Sequence, residues 1–262
     1  AAQSLVIESY INPLETLETN IIGSYRVLDC LNRLNKQISV IVSTTDKVYK
    51  NPNSDNTESS ELGGKDFYSS SKVAVENLIF AYSNESINKD LVISTVRSGN
   101  VIGGGERADN RLITDIVSAA INNIDTHLRM PKSIRPWQHV LDSISGYILV
   151  AMDNYNTKKS QTFNLNSKPN NKYTAERITE IFLQKWKSNV NVVIDNDAKY
   201  EEVEVLKINS SKAKNILHWQ PIYSLEKSLE EIVLWEKYYL NENDVNYSLE
   251  AVEKYLKKMF NC

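Results

Sequence analysis

Apolar positions Leu14, Leu17, Ile21, Ile22, Val27, Leu28 and Leu31 recur near the helical period. That spacing predicts one amphipathic helix over residues 13–33, of the kind that crosses between parallel strands. The period then changes. Ile38, Val40, Ile41 and Val42 form a short β-branched run, which predicts a buried strand over residues 38–43. Residues 50–66 are polar and turn-rich, with Asn51-Pro52-Asn53 and Gly63-Gly64, and read as a loop long enough to be functional. Helical spacing returns over residues 68–83, where Val73, Val75, Leu78 and Ile79 face a core.

A second apolar strand is predicted over residues 91–96, and a third over 162–165, where polar and apolar residues alternate. Between them lie a loop at 103–110, with Arg107 and Arg111 as available cations, and an amphipathic helix at 112–124. A short polar-aromatic segment spans 133–140. A helix follows over 142–155, with Asp142 near its cap. Ile178, Ile181, Phe182 and Trp186 mark a helix over 174–187, and residues 190–194 a strand. Ser224 caps a helix to about residue 240, and an Asn-rich break precedes a last helix at 248–260.

Composition narrows the function classes. A chain of 262 residues with 24% charged and 41% hydrophobic residues is ordinary for a soluble protein of one large or two small domains. A net charge of −3 argues against a nucleic-acid binder, while leaving room for a local basic pocket for a diphosphate. The two cysteines, Cys30 and Cys262, are far apart, so neither a disulfide framework nor a metal site is expected. No apolar run approaches membrane-spanning length, and no basic and apolar leader opens the sequence, so a cytoplasmic chain is expected.

The chemistry gathers at strand ends. Ser43-Thr44-Thr45-Asp46-Lys47 closes the first strand, where open α/β sheets place their ligands. Tyr68 and Lys72 are four residues apart, so a helix stacks phenol and ammonium on one face. A neighbouring ammonium favours the phenolate and draws a tyrosine pKa down from about 10. The pair alone is a common solvated helix face. A third cluster, Arg97-Ser98-Gly99-Asn100-Val101-Ile102-Gly103-Gly104-Gly105, follows the next strand, and together the three make a site.

These residues resemble the extended short-chain dehydrogenase/reductase group. Leu62-Gly63-Gly64-Lys65-Asp66-Phe67-Tyr68-Ser69-Ser70-Ser71-Lys72, the segment from Arg97 to Gly105, and Ile134-Arg135-Pro136-Trp137-Gln138-His139-Val140-Leu141-Asp142 resemble its CDP-glucose 4,6-dehydratase branch. So does Lys47, where related sugar dehydratases carry glutamate. The resemblance runs to about residue 240, taking in Asn209 to Trp219. It implies an α/β fold: a partial Rossmann-type, doubly wound parallel sheet lacking its N-terminal strands, with a smaller α/β substrate-binding domain. The implied division is an NAD-binding part at 1–102 and 136–166, a nucleotide-sugar-binding part at 103–135 and 167–240, and a helical tail at 241–262.

The activity implied is a lyase reaction for deoxysugar and polysaccharide synthesis, in which CDP-glucose becomes CDP-4-keto-6-deoxyglucose. By resemblance Tyr68 is the base at the C4 hydroxyl, Thr45 bonds that oxygen, and Lys72 tunes Tyr68 and holds the nicotinamide ribose. Asp46 is the acid at C6. Lys47 sits where a base is wanted, acting when neutral or as a stabiliser of the enolate. Ala1 and Ala2 fall on a cofactor-side turn, and Asn100, Arg111, Arg135 and His139 on the substrate. Trp137 reads more readily as core, His139 equally as a buried hydrogen-bonded histidine, and Asn20 equally as plain helix packing.

No Gly-rich dinucleotide turn occurs in the first hundred residues. The expectation is therefore a chain that lacks part of its NAD site, binds NAD poorly alone, associates through an unpaired strand edge, and regains activity with a Gly-rich segment supplied. The alternatives left open are a truncated non-catalytic remnant, one half of a split enzyme with a separate partner chain, or an NAD-dependent epimerase or decarboxylase. A homo-oligomer is left open too.

Overall fold

The structure, a computed structural model, describes residues 2–34, 36–167, 172–195, 205–242 and 244–260. Two short helices come first, α1 (Val6–Ile11) and α2 (Pro13–Leu17), with Pro13 opening α2, where its missing N–H leaves nothing unsatisfied. A π-helical turn, Glu18–Ile22, then leads into α3 (Gly23–Asn32). The single helix expected over 13–33 is continuous from Pro13 to Asn32 with one π turn inside it, and α1 precedes it unforeseen, being too short to show a period. Along it Leu28 is buried while Leu14, Ile22 and Val27 are exposed.

Strand β1 (Ile38–Thr45) ends in a tight 3-10 turn, Asp46–Val48. Helix α4 (Phe67–Glu85) opens on a capping box. The Asp66 carboxylate accepts from the Ser69 N–H at 2.8 Å, and the Asp66 N–H donates to the Ser69 hydroxyl at 3.1 Å. Strand β2 (Leu91–Ser98) runs two residues past its expected end, because Arg97 and Ser98 still pair with β1. Then come β3 (Val101–Ile102), α5 (Leu112–Asn122), β4 (Thr126–Leu128) and β5 (Gln138–His139). Three of these, the short strands, carry too few residues for a sequence period.

Helix α6 (Val140–Thr157) starts two residues before Asp142, which stands in its first turn as expected. Its carboxylate accepts from the Ile222 N–H and the Tyr255 hydroxyl, each at 2.7 Å. Next are β6 (Thr162–Asn164), α7 (Ala175–Trp186), β7 (Val192–Ile194) and α8 (Ser211–Leu217). Helix α9 (Leu225–Glu242) is capped as expected, the Lys227 N–H donating to the Ser224 hydroxyl at 3.2 Å. The last helix is α10 (Tyr247–Met259).

The chain divides into two compact units. The first takes Ala1–Gly99, Ser145–Asn166 and Lys207–Gln220. Its centre is the parallel sheet β1-β2-β6, with Ile38 beside Leu91 through to Thr45 beside Ser98. Both faces are covered. Leu91 and Ile93 pack on Leu28, Val75 and Ile79, and Val96, Phe163 and Leu165 on Val150, Ala213, Leu217 and Trp219. That is the doubly wound arrangement expected.

The second unit takes Asn100–Ile144, Ser167–Leu206 and Pro221–Cys262. It holds two parallel pairs, β3–β5 and β4–β7, beside a core that includes Ile116, Ile178, Phe182, Leu229 and Ile232. Residues 100–102 and 136–144 therefore lie with the second unit and 207–220 with the first, all differently from the division implied above. Residues 241–262 belong to the second unit, where the Tyr247 hydroxyl donates to Glu231 at 3.0 Å and the Trp235 indole to Ser248 at 2.8 Å. Among the described residues no helix is long and apolar enough to cross a membrane, and no group of side chains has metal-binding spacing. Cys30 is exposed with a free thiol, and Cys262 lies outside the described residues.

Candidate active site

The first unit brings Thr45, Asp46, Tyr68 and Lys72 together. β1 delivers its hydroxyls to the carboxyl end of the sheet. There the Thr45 hydroxyl accepts from the Lys47 N–H at 3.3 Å and donates to Asp46 Oδ1 at 3.2 Å. The turn Asp46–Val48 buries Asp46 and leaves Lys47 half-buried. Helix α4 places Tyr68 in its first turn and Lys72 one turn on, both buried. The Lys72 ammonium sits 6.0 Å from the Tyr68 ring centre and donates to the Ser43 carbonyl at 3.4 Å. Burial pushes it below the ordinary lysine range. The helix face is thereby tied to the strand end two residues before Thr45.

Asn20, on the π turn, is buried behind this face. Its side-chain amide donates to the Ser71 hydroxyl at 2.9 Å and to the Gln3 carbonyl at 3.0 Å, and its oxygen accepts from the Gln3 N–H at 2.8 Å. It spans α4 and the opening residues. Ala2 is exposed beside Gln3, and Ala1 lies outside the described residues.

The residues read as substrate contacts belong to the second unit. The Asn100 carbonyl accepts from the Gln138 N–H at 3.1 Å, which joins β3 to β5. Arg135 is buried, with one guanidinium N–H on the Ile134 carbonyl at 3.1 Å. Arg111 is the N-cap residue of α5, 4.0 Å from Glu106. His139 packs edge-on against Tyr223 at 5.2 Å and its Nδ1 accepts from the Leu141 N–H at 3.2 Å. Burial pushes its pKa down to about 4, so the ring is neutral at pH 7. Arg107 is no open cation. Its guanidinium forks onto the buried Glu236 carboxylate at 2.8 and 2.9 Å, which also accepts from the Gly105 N–H at 2.8 Å.

A polar cluster that the sequence reading did not assemble lies at the carboxyl end of the sheet. Arg97 forks onto Glu76 with two bonds of 2.9 Å, the Thr44 hydroxyl donates to the same carboxylate at 2.7 Å, and Arg97 also donates to the Tyr49 hydroxyl at 2.9 Å. A signal did exist. Glu76 continues the Tyr68–Lys72 row at the next four-residue step, an acid on a face that otherwise turns inward.

A parallel α/β sheet with hydroxyls at one strand end, faced by a buried Tyr–Lys helix row, defines a Rossmann-type enzyme of the short-chain dehydrogenase/reductase class. The sequence matches the GDP-mannose 4,6 dehydratase family over residues 1–232, and the chain belongs to that family. It is 36% identical over 255 residues to CDP-glucose 4,6-dehydratase of Salmonella typhimurium, covering 94% of this chain and 71% of the relative. UDP-glucuronic acid decarboxylase 6 of Arabidopsis thaliana is 24% identical, with 83% of this chain and 62% of the relative covered. Among solved structures, UDP-glucose 4-epimerase of Thermotoga maritima with UDP-glucose shares the fold at a TM-score of 0.80 and 21% identity, covering 92% and 76% of the chains. MoeE5 with UDP-glucose and NAD shares it at 0.83 and 17%, covering 92% and 78%.

Proposed function

We propose that this protein is an NAD-dependent nucleotide-sugar 4,6-dehydratase acting on CDP-glucose, with Thr45, Asp46, Lys47, Tyr68 and Lys72 as its reacting groups. The observation that carries the reading is the buried Tyr68–Lys72 row tied at 3.4 Å to the end of the strand that bears Thr45 and Asp46. The residues present fit the ribose end of the cofactor. The Lys72 ammonium has three donors and one described hydrogen bond, so donors remain for ribose hydroxyls. No Gly-rich pyrophosphate turn occurs in residues 1–100, so this chain's residues are assigned to the ribose end alone. NAD⁺, when bound, would supply the two-electron oxidant for C4 of the sugar and, in its reduced form, the hydride for C6.

The protein's own part is proton handling. Tyr68, as phenolate, takes the proton of the C4 hydroxyl, while Thr45 hydrogen-bonds that oxygen. The Lys72 ammonium favours the phenolate electrostatically and holds the ribose. With a ketone at C4, the C5 proton becomes acidic, and water leaves across C5–C6 as Asp46 donates a proton to the departing hydroxyl. Lys47 either accepts the C5 proton as a neutral amine and returns it to C5 when C6 is reduced, or stabilises the enolate as an ammonium while another group takes and returns that proton. The sugar loses one water and undergoes no net redox change. In the second unit, Arg135 is the proposed diphosphate ligand, because a guanidinium offers phosphate two parallel bonds, and Asn100, Arg111 and His139 are proposed as further nucleotide-sugar ligands.

The test is an assay for 4-keto-6-deoxy sugar from CDP-, dTDP-, GDP- and UDP-glucose. It is run on the chain alone and with a Gly-rich strand–turn–helix segment supplied as a second chain, a partner this reading allows. CDP-glucose turnover in either arm, lowered by about three orders of magnitude or more in Tyr68→Phe with KM little changed, supports the reading. Absence of product in both arms, or full turnover by Tyr68→Phe, overturns it.

A further inference from the structure

The cluster of Glu76, Arg97, Thr44 and Tyr49 touches no reacting atom, yet it brackets the segment that carries them. Thr44 immediately precedes Thr45, and its hydroxyl donates to Glu76 Oε1 at 2.7 Å. Tyr49 immediately follows the Asp46–Val48 turn, and its hydroxyl accepts from Arg97 at 2.9 Å and donates to Asn164 Oδ1 at 2.7 Å. Both ends of the turn are therefore bonded to one ion pair. That pair is also fixed to the helix, since Glu76 lies one turn beyond Lys72 and two beyond Tyr68 on α4. Arg97 adds β2, where it stands beside Thr44 in register, and donates to the Glu58 carbonyl at 3.1 Å.

The Glu76 and Arg97 side chains are 5% and 4% exposed. Removing two charges from water offsets most of what their attraction returns, and a packed apolar pair of similar volume would hold the fold about as well. An apolar pair lacks direction. Four bonds of 2.7–2.9 Å on one carboxylate and one guanidinium fix angles as well as distances, and the bidentate fork resists rotation.

We infer that Glu76 and Arg97 are positioning residues, whose buried ion pair acts through Thr44 and Tyr49 to set the Thr45–Asp46 turn against the Tyr68–Lys72 face. The inference rests on the reading of Thr45, Asp46, Tyr68 and Lys72 as reacting groups. Thr44→Val removes one hydroxyl and keeps both the shape and the ion pair, so it loosens the turn without exposing a buried charge. Thr44→Ser keeps the hydroxyl and is the conservative rescue. Arg97→Lys keeps the charge but loses the fork and the bond to Tyr49.

The experiment pairs two readouts on the same preparations: amide hydrogen exchange of peptides covering residues 44–49 and 67–72, and kcat with KM across pH. Thr44→Val and Arg97→Lys are expected to speed exchange at 44–49 about tenfold or more while peptides elsewhere keep their rates. In the active preparation kcat falls about ten- to a hundredfold with KM within about twofold, as for a small misplacement of reacting groups. Thr44→Ser restores both. A residue that merely supports the fold would lower Tm and the active fraction and leave the exchange pattern and kcat per active site unchanged, and that result overturns the proposal. Unchanged exchange in Thr44→Val overturns it as well. If the unmodified protein turns over no nucleotide sugar, the dehydratase reading fails by itself, and the exchange arm still decides whether the ion pair braces the turn.

Discussion

Tyr68 and Lys72 were visible because their chemistry is local: four residues apart on a helix is a geometric statement that needs no partner. What burial adds is a sign. Deprotonation of Lys72 begins at lower pH than for an ordinary lysine, since burial disfavours its ammonium. The alkaline limb of kcat is therefore expected below pH 10.5, moving upward in Lys72→Arg, as a pH–rate profile would show. For Arg135, Ala substitution should raise KM for the nucleotide sugar, and Lys should rescue only part of it, because an ammonium cannot make the proposed two-pronged phosphate contact. Full rescue by lysine would leave only a point charge at that position.

His139 makes a separate case. Its folded pKa of about 4 lies below the ordinary 6.5, with burial as the main cause and Glu231 pulling the other way. Between those values the unfolded chain binds more protons than the folded one, so stability falls as pH drops from about 6.5 towards 4. The full window is worth about 3 kcal/mol. Burial raises the Asp142 carboxyl, which contributes with the opposite sign, so the informative quantity is a difference. Urea midpoints at pH 7 and pH 5 should diverge less in His139→Gln than in the unmodified protein.

At the scale of elements, α4 carries two of the proposed reacting groups, and its start is held by features readable in part from sequence. The Asp66–Ser69 capping box follows from residue types and spacing. Loss of the cap in Asp66→Ala should cost about 1 kcal/mol and lower kcat through fraying of the turn bearing Tyr68, checked by thermal melting beside the assay. Gly64 is different. A Cβ there would lie 2.3 Å from the Ser70 nitrogen and 2.4 Å from the Ser69 carbonyl carbon, both backbone atoms that cannot swing aside. Gly64→Ala should therefore destabilise by about 1–3 kcal/mol and displace the helix start, seen as a lowered melting temperature with slower turnover. The π turn at Glu18–Ile22 had no sequence signal, since one wide turn leaves the residue types unchanged.

For the molecule as a whole, the two units have their own cores and their own buried polar anchors. In the second unit, Glu236 is buried and Arg107 is half-exposed, and the pair holds Gly105 of the Gly103–Gly105 loop against α9. Arg107→Ala leaves that carboxylate with the Gly105 N–H and no counter-charge, at a cost of about 1–3 kcal/mol. Calorimetry should show a lowered transition, and Arg107→Lys should recover part of it. With two compact units, one two-state transition is not assumed, and the shift is to be read on whichever transition moves.

The sequence alone determined the α/β class, the three strands of the parallel sheet, most helices and the stacking of Tyr68 and Lys72 one turn apart on a helix. These follow from periods of two and 3.6 residues and from caps, which are properties of neighbours along the chain. Tertiary structure decided what depends on residues far apart. It engaged Arg107 with Glu236, joined Asp142 to Tyr255, lowered the pKa of His139, and assembled Glu76, Arg97, Thr44 and Tyr49 from two strands, a helix and the segment after a turn. Buried polar groups must find partners, and which partner each finds is settled only when distant segments pack.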